Sequence, residues 1–195
     1  MRDGTLTKER IERAALKLFV QNGVAETSIK EIAKEAKVSQ GAMYNHYHSK
    51  EELAWELFAG GFSEIGLELR RLAKTQSTLQ MKLRAMISYV FERFDKDWLS
   101  VSYVFMARHL HLRRVTPRMG NPYLAFRAVI ANAMGHGEIP RRDPELAASL
   151  VVGAIIQVID TKIFGRLKGN LSDRALITAD SCTNLLLAPE ENSGS

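Results

Sequence analysis

The chain has 195 residues, 46% hydrophobic and 25% charged, with a net charge of +5. That length admits one large domain or a small one plus a medium one, and the balance of residues is that of a water-soluble globular protein rather than a fibrous or disordered one. The single Cys182 excludes a disulfide framework within one chain and suits a reducing cytoplasm. Residues 1–20 are charged and amphipathic, without the apolar core and cleavage site of a signal peptide. The longest apolar stretch, Leu150 to Ile159, is too short to span a bilayer. Prolines number only five and no stretch alternates apolar and polar residues, so an all-α chain is expected.

The first helix is predicted to start at Thr7, with Leu6 and Ile11 as a hydrophobic staple around the start. Ile11, Ala14, Ala15, Leu18 and Phe19 make its core stripe, and Asn22-Gly23 ends it. Three helix starts follow closely. Ser28 precedes Glu31 by three and Ser49 precedes Glu52 by three, the spacing of reciprocal capping boxes, and Ser39 caps a short helix from Gln40 to about Tyr47. Between Ser28 and Ser39, Ile29, Ile32, Ala33 and Ala36 keep helical spacing. Two short helices separated only by Lys37-Val38-Ser39 read as helix-turn-helix, a unit that lays its second helix in the DNA major groove. From Ser49 a longer helix runs toward Lys74, with Gly60-Gly61 inside it as a place for a bend.

From about Ser77 the chain reads as five more helices. Leu79, Leu83, Met86, Ile87, Val90 and Phe94 line the first, which Asp95-Lys96-Asp97 ends, and an aromatic, Met-rich helix follows from Trp98 to about Leu112. Thr116-Pro117 is expected to restart the chain and Gly135-His136-Gly137 to stop it, with Asp143-Pro144 opening the next helix. That helix, to about Phe164, is apolar nearly all round and must be covered on two sides; the last runs from Ser172 to about Leu187, and the residues from Pro189 are expected to be a disordered tail.

The run Thr27-Ser28, Ile32-Ala33, Ala36, Val38-Ser39, Gly41, Tyr44 and Ser49-Lys50-Glu51-Glu52-Leu53 resembles the DNA-binding motif of TetR/AcrR-type transcriptional regulators. It departs from the pattern at Lys37, where such turns often carry Gly; a left-handed backbone there costs a non-Gly residue roughly 1–2 kcal/mol. The resemblance implies an N-terminal three-helix helix-turn-helix head over residues 1–55 and a C-terminal helical ligand-binding and dimerisation domain over 56–188, with 189–195 as the tail. It implies a cytoplasmic homodimer that binds operator DNA and a small-molecule effector, with no cofactor, no metal, no membrane and no enzyme activity.

Residues 1–50 hold nine Lys/Arg against six Asp/Glu, but Glu51, Glu52 and Glu56 cancel that excess, so bulk charge by itself does not argue for DNA. The DNA-binding candidates are Thr27, Ser28, Ser39, Gln40, Gly41, Ala42, Tyr44, Asn45, His46 and Lys50. Gln40 suits a bidentate pair with adenine, and Gly41 and Ala42 let the helix approach closely. Thr27, Tyr44 and Lys50 match positions that touch phosphate in the resembled family, while Tyr47 packs in the head. The effector candidates are Met86, Tyr89, Phe94, Trp98, Tyr103, Phe105, Met106, His109, Tyr123, Phe126 and Gln157, large adaptable side chains with a few polar groups, and Met134 belongs with them. The dimer candidates are Leu150, Ile155, Ile159, Leu176, Ala179, Cys182 and Leu186. His109 and His111 lie two apart on a helix and point to different faces, which disfavours a shared metal ion. The function expected is that of a repressor released from a pseudo-palindromic operator by an apolar or aromatic effector. An activator of the same fold, a helical enzyme and a DNA-packaging protein are the alternatives, the enzyme opposed by the lack of a catalytic constellation.

Overall fold

The computed structural model describes residues 2–189, and the side chains from residue 4 onward; the tail expected beyond Pro189 lies outside the described residues. Among the described residues the regular structure is helical throughout. The α-helices are α1 Arg2–Asn22, α2 Ile29–Ala36, α3 Gln40–Tyr44, α4 Lys50–Thr75, α5 Leu79–Lys96, α6 Trp98–His111, α7 Pro122–Gly135, α8 Pro144–Ile163 and α9 Ala175–Leu187. Short 3-10 turns follow α6 at Leu112–Arg114 and precede α9 at Ser172–Arg174.

The chain divides into two compact units, Met1–Gly61 with Asp97–Pro117, and Phe62–Lys96 with Arg118–Ser195. In the first unit α1 packs on α2, and α2 on α3; Ile11, Ala15 and Phe19 of α1, Ile32 of α2, Met43 of α3 and Leu53 and Phe58 of α4 are all buried. Burying a side chain as large as Ile or Phe contributes roughly 1.5–3 kcal/mol, which none of these short helices gains alone. α6 also packs on α1: Tyr103 meets Phe19 with ring centroids 5.6 Å apart and donates its hydroxyl to the Ala54 carbonyl at 2.9 Å. At Gly61 a Cβ would come within 2.8 Å of Val104 Cγ2, so this glycine admits α6 close to α4. α4 runs through Gly60-Gly61 as one uninterrupted helix.

In the second unit α5 packs on α9 and α7, and α8 packs on α7 and α9, around Leu83, Ile87, Phe91, Ile130, Ile159 and Leu186. Arg84 spans α5 and α9 in a two-pronged pair with Asp180, at 2.8 and 2.9 Å. Asp95 accepts from the amides of Leu171 and Ser172 at 3.0 and 2.8 Å, which fixes the turn before α9; burial opposes its charge, yet these amides hold the carboxyl below its usual range. Gly66 and Gly120 are a close approach of backbones: a Cβ on Gly66 would overlap the backbone of Gly120 and Asn121, and one on Gly120 that of Ser63.

Four sequence expectations change. α1 begins at Arg2 rather than Thr7, so Leu6 is exposed on a helix interior and staples nothing. α3 ends at Tyr44, three residues early, because the amides of His46 and Tyr47 both turn back to the Met43 carbonyl. Residues 115–121 stay irregular, and α7 starts at Pro122 with Asn121 as its cap, a stronger pairing than Thr116-Pro117 because the Asn121 side chain accepts from the Leu124 amide. The residues from Ser172 form a 3-10 turn before α9 proper begins at Ala175.

Candidate nucleic-acid interface

The helix-turn-helix is fixed by local bonds that sequence spacing anticipates and by long-range bonds that it does not. The Ser28 box is complete: the Glu31 amide donates to Ser28 Oγ at 3.2 Å and the Ser28 amide donates to Glu31 Oε2 at 2.8 Å. The Ser28 hydroxyl and amide hold the Glu31 carboxyl below its usual range. Ser39 Oγ accepts from the Ala42 amide at 3.1 Å and starts α3. At Ser49 only half the box forms, since the Glu52 amide donates to Ser49 Oγ at 3.0 Å while Glu52 reaches past Ser49 to the His48 amide at 2.6 Å. Between α2 and α3, Lys37 is left-handed at φ 54°, ψ 47°, and the Arg10 guanidinium donates to the Ala36 and Lys37 carbonyls at 2.5 and 2.8 Å. Arg10 thus ties α1 to the turn, a role that spacing along the chain cannot reveal because donor and acceptors lie 26 and 27 residues apart.

α3 buries Met43 and turns Gln40, Gly41, Tyr44 and Asn45 to solvent, Tyr44 with half its surface exposed. Nothing crowds Gly41 except Ser39 Oγ, 3.8 Å from where a Cβ would stand, so the helix start is open to a close partner. Ala42 and His46 are half-buried at the edge of this face. Tyr47 is core, as expected: its hydroxyl donates to Glu12 at 2.6 Å, and burial followed by the Glu12 carboxylate drives its ionisation far above the usual range.

Two DNA candidates are placed differently from the rest. Thr27 is buried, with its hydroxyl donating to the Gly23 carbonyl at 2.8 Å, so its side chain secures the end of α1 and does not face a ligand. Lys50 is half-buried and donates to the Ala25 carbonyl at 3.0 Å, fastening the loop before α2 to the start of α4. Ser28 and Ser39 remain at the surface but spend their hydroxyls as caps.

The effector candidates do not gather in one unit. Trp98, Tyr103, Phe105, Met106 and His109 belong to the first unit, where Tyr103 is core and Trp98, Met106 and His109 are exposed. Met86, Phe94, Phe126 and Met134 are buried in the second unit, Tyr89 is half-buried, and Gln157 faces solvent. The Tyr123 hydroxyl is taken by Glu145 at 2.6 Å. Of the dimer candidates, Ile155, Ile159, Ala179, Cys182 and Leu186 are buried within a single copy, Cys182 at the floor of a groove between α8 and α9, while Leu150 and Leu176 are exposed. The helical period explains this, since the residues that best fit a single apolar face of α8 and α9 are claimed by α5 and α7. The exposed apolar surface is instead Leu146, Leu150, Ala154, Ile177 and Leu185, with a groove of about 260 Å³ between α8 and α9. By length and composition α8 would also be long and apolar enough to cross a membrane.

No group of three or more His, Cys, Asp and Glu among the described residues is placed to hold a metal ion. His109 is exposed and His111 is buried against Trp55 and Phe58, with ring centroids 5.8 and 5.0 Å away. Arg114 stacks over Trp55 at 4.1 Å.

Residues 11–64 match the family model for bacterial regulatory proteins of the tetR family. Over 87 residues the chain is 41% identical to the HTH-type transcriptional regulator AcrR of Shigella flexneri, a match covering 44% of this chain and 40% of that one. The chain thus spans less than half the length of that curated relative. A fatty acid metabolism regulator protein of Bacillus subtilis (strain 168) is 24% identical over 163 residues, 81% of this chain and 84% of that one. Among solved structures, the regulator FadR from Bacillus subtilis, in complex with stearoyl-CoA, superposes with a TM-score of 0.70 at 22% identity, over 92% of this chain and 97% of that one, a likeness of fold. The capped helix-turn-helix with its open α3 face lies inside the stretch that matches the tetR-family model, so residues 11–64 are similar to the corresponding region of those bacterial regulatory proteins.

Proposed function

We infer that this chain is a sequence-specific DNA-binding transcriptional regulator, a repressor that leaves a pseudo-palindromic operator when a small apolar or aromatic effector binds. The observation that carries this is α3, which offers Gln40, Gly41, Tyr44 and Asn45 outward from a frame locked by Ser28, Ser39 and Arg10. Gln40 has the amide geometry for an adenine edge and Tyr44 and Asn45 suit phosphate or base contacts, so backbone contacts set register and α3 reads sequence.

Residues 1–55 serve as the head, and residues 56–188 as the effector and dimerisation region of a cytoplasmic homodimer. Exposed Leu146, Leu150, Ile177 and Leu185 support two-fold pairing of α8 and α9 into a four-helix interface, because a contiguous apolar patch of this kind marks a contact surface. Two-fold pairing presents two α3 helices to half-sites roughly 34–36 Å apart or a multiple of this. The fold likeness to a regulator solved with stearoyl-CoA supports a ligand in the helical second unit, and α4, uninterrupted from Lys50 to Thr75, is the element common to both units.

Selection of duplexes from a random pool tests the reading. The expected result is enrichment of a palindromic site bound at least a thousandfold more tightly than random DNA. Equal affinity for selected and random duplexes would overturn it in favour of a DNA-packaging role.

A further inference from the structure

The second unit carries a groove of about 390 Å³ where the last turns of α4 pass α5 and α7. Its apolar floor includes Ala73 of α4 and Ala125, Ala128 and Val129 of α7. Three cations line it, Arg70 and Lys74 of α4 and Lys82 of α5, and no Asp or Glu is among its lining residues.

Four arginines of this unit are matched to carboxylates: Arg71 with Glu68, Arg84 with Asp180, Arg93 with Glu64 and Arg127 with Glu145. Arg70, Lys74 and Lys82 have no such carboxylate among the described residues. Local helix physics accounts for Lys74, in the last turn of α4 where the macrodipole favours a cation, but not for the other two. Arg70 and Lys74 are like charges at i,i+4, a spacing that disfavours the helix. Lys82 lies in the first turn of α5, where the macrodipole is unfavourable to a cation. An anion between them would offset both the like-charge repulsion and the dipole penalty on Lys82, and the floor beside them is hydrocarbon. The volume lies in the range of small-molecule sites, about 300–1,000 Å³.

We propose that this groove binds an anionic amphiphile, with a single acyl chain along Ala73, Ala125, Ala128 and Val129 and a phosphate or carboxylate head among Arg70, Lys74 and Lys82. This names the chemical class of the effector, and it rests on the regulator reading only for its consequence on DNA. The chain is held by apolar burial and the head by charge, so affinity for the anionic ligand falls as salt rises, whereas affinity for an uncharged analogue does not.

The test is calorimetric titration of the full-length protein with lauroyl-CoA, laurate, coenzyme A and dodecyl maltoside, each below its micelle concentration. Lauroyl-CoA or laurate is expected to bind at least tenfold more tightly than coenzyme A or the uncharged maltoside. Tighter binding of laurate assigns the head as a carboxylate, and tighter binding of lauroyl-CoA assigns it as the phosphates at the far end of the pantetheine arm. K74E/K82E is expected to weaken the anionic ligand at least tenfold and leave the maltoside unchanged. A128W, at an exposed helical position, is expected to block the chain, with thermal unfolding followed by circular dichroism to verify that both variants fold. Absence of binding by wild-type protein, or wild-type affinity in both folded variants, would overturn the assignment. The same preparations are assayed on the selected duplex: DNA binding without amphiphile binding removes this groove alone, while loss of selective DNA binding removes the regulator reading instead.

Discussion

Lys37 occupies the left-handed region at φ 54° with its side chain exposed, and its amide returns to the carbonyls of Ala33 and Lys34. Lys37→Gly relieves the Cβ clash of that conformation and is expected to stabilise the head by about 1 kcal/mol, less the added freedom of the unfolded chain. Urea unfolding checks it through a raised midpoint at unchanged slope. Thr27 and Gln40 separate structure from recognition. Thr27→Val removes a buried hydroxyl bond to Gly23 and is expected to cost about 1 kcal/mol of stability, with DNA affinity per folded molecule unchanged. Gln40→Ala should leave the melting temperature alone and relax preference at one or two base pairs in the selection experiment. His111 is a titratable residue buried in the first unit. Burial, aided by the Arg114 charge, lowers its pKa below the usual 6.5, so the unfolded chain takes up a proton that the folded chain refuses. Its contribution therefore stands above pH 6.5 and is lost as pH falls below it, and His111→Phe should flatten that part of the stability profile. An unchanged slope between pH 7 and 5 in the variant would contradict this.

At the scale of elements, α4 carries glycines whose surroundings differ although the sequence makes them look alike. Nothing lies within 4 Å of a Cβ added to Gly60, so Gly60→Ala gains only helix propensity and is expected to stabilise by about 1 kcal/mol. At Gly66 the same methyl group meets the backbone of Gly120 and Asn121, which cannot rotate away, and the loop before α7 must move. Gly66→Ala should therefore destabilise by about 1–3 kcal/mol despite the same propensity gain. Paired thermal melts decide between the two, and equal shifts would contradict the close approach. α3 illustrates the opposite dependence. Five residues are too few to hold a helix, and this one persists through the Ser39 cap, buried Met43 and the turn that Arg10 secures.

For the whole molecule the proposed two-fold pairing rests on the apolar face that α8 and α9 leave exposed. Leu150→Glu and Ile177→Glu alter side chains that touch solvent within one copy, so each is expected to fold and to run as a monomer in light scattering, with loss of palindrome binding. Ile159→Glu differs in kind, because that side chain is fully buried and an unpaired charge there unfolds the second unit. A folded Leu150→Glu dimer would argue that the pairing uses another face.

The sequence by itself determined the helix-turn-helix and the all-α character, because caps and periodicity are written within a few residues: Ser28 with Glu31, Ser39 with Ala42, Asp143 before Pro144. It also placed Tyr47 in the core and the exposed Gln40, Tyr44 and Asn45 on one face. Tertiary structure alone decided which side of α8 and α9 meets the unit's own core, since both sides are apolar and periodicity cannot choose between them. It alone grouped α6 with the first unit, brought Arg10 to the turn, set Gly66 against Gly120 and gathered Arg70, Lys74 and Lys82 around one groove. Contacts between residues far apart in the chain depend on how helices cross, and a helix crossing leaves no mark in the local pattern of either partner.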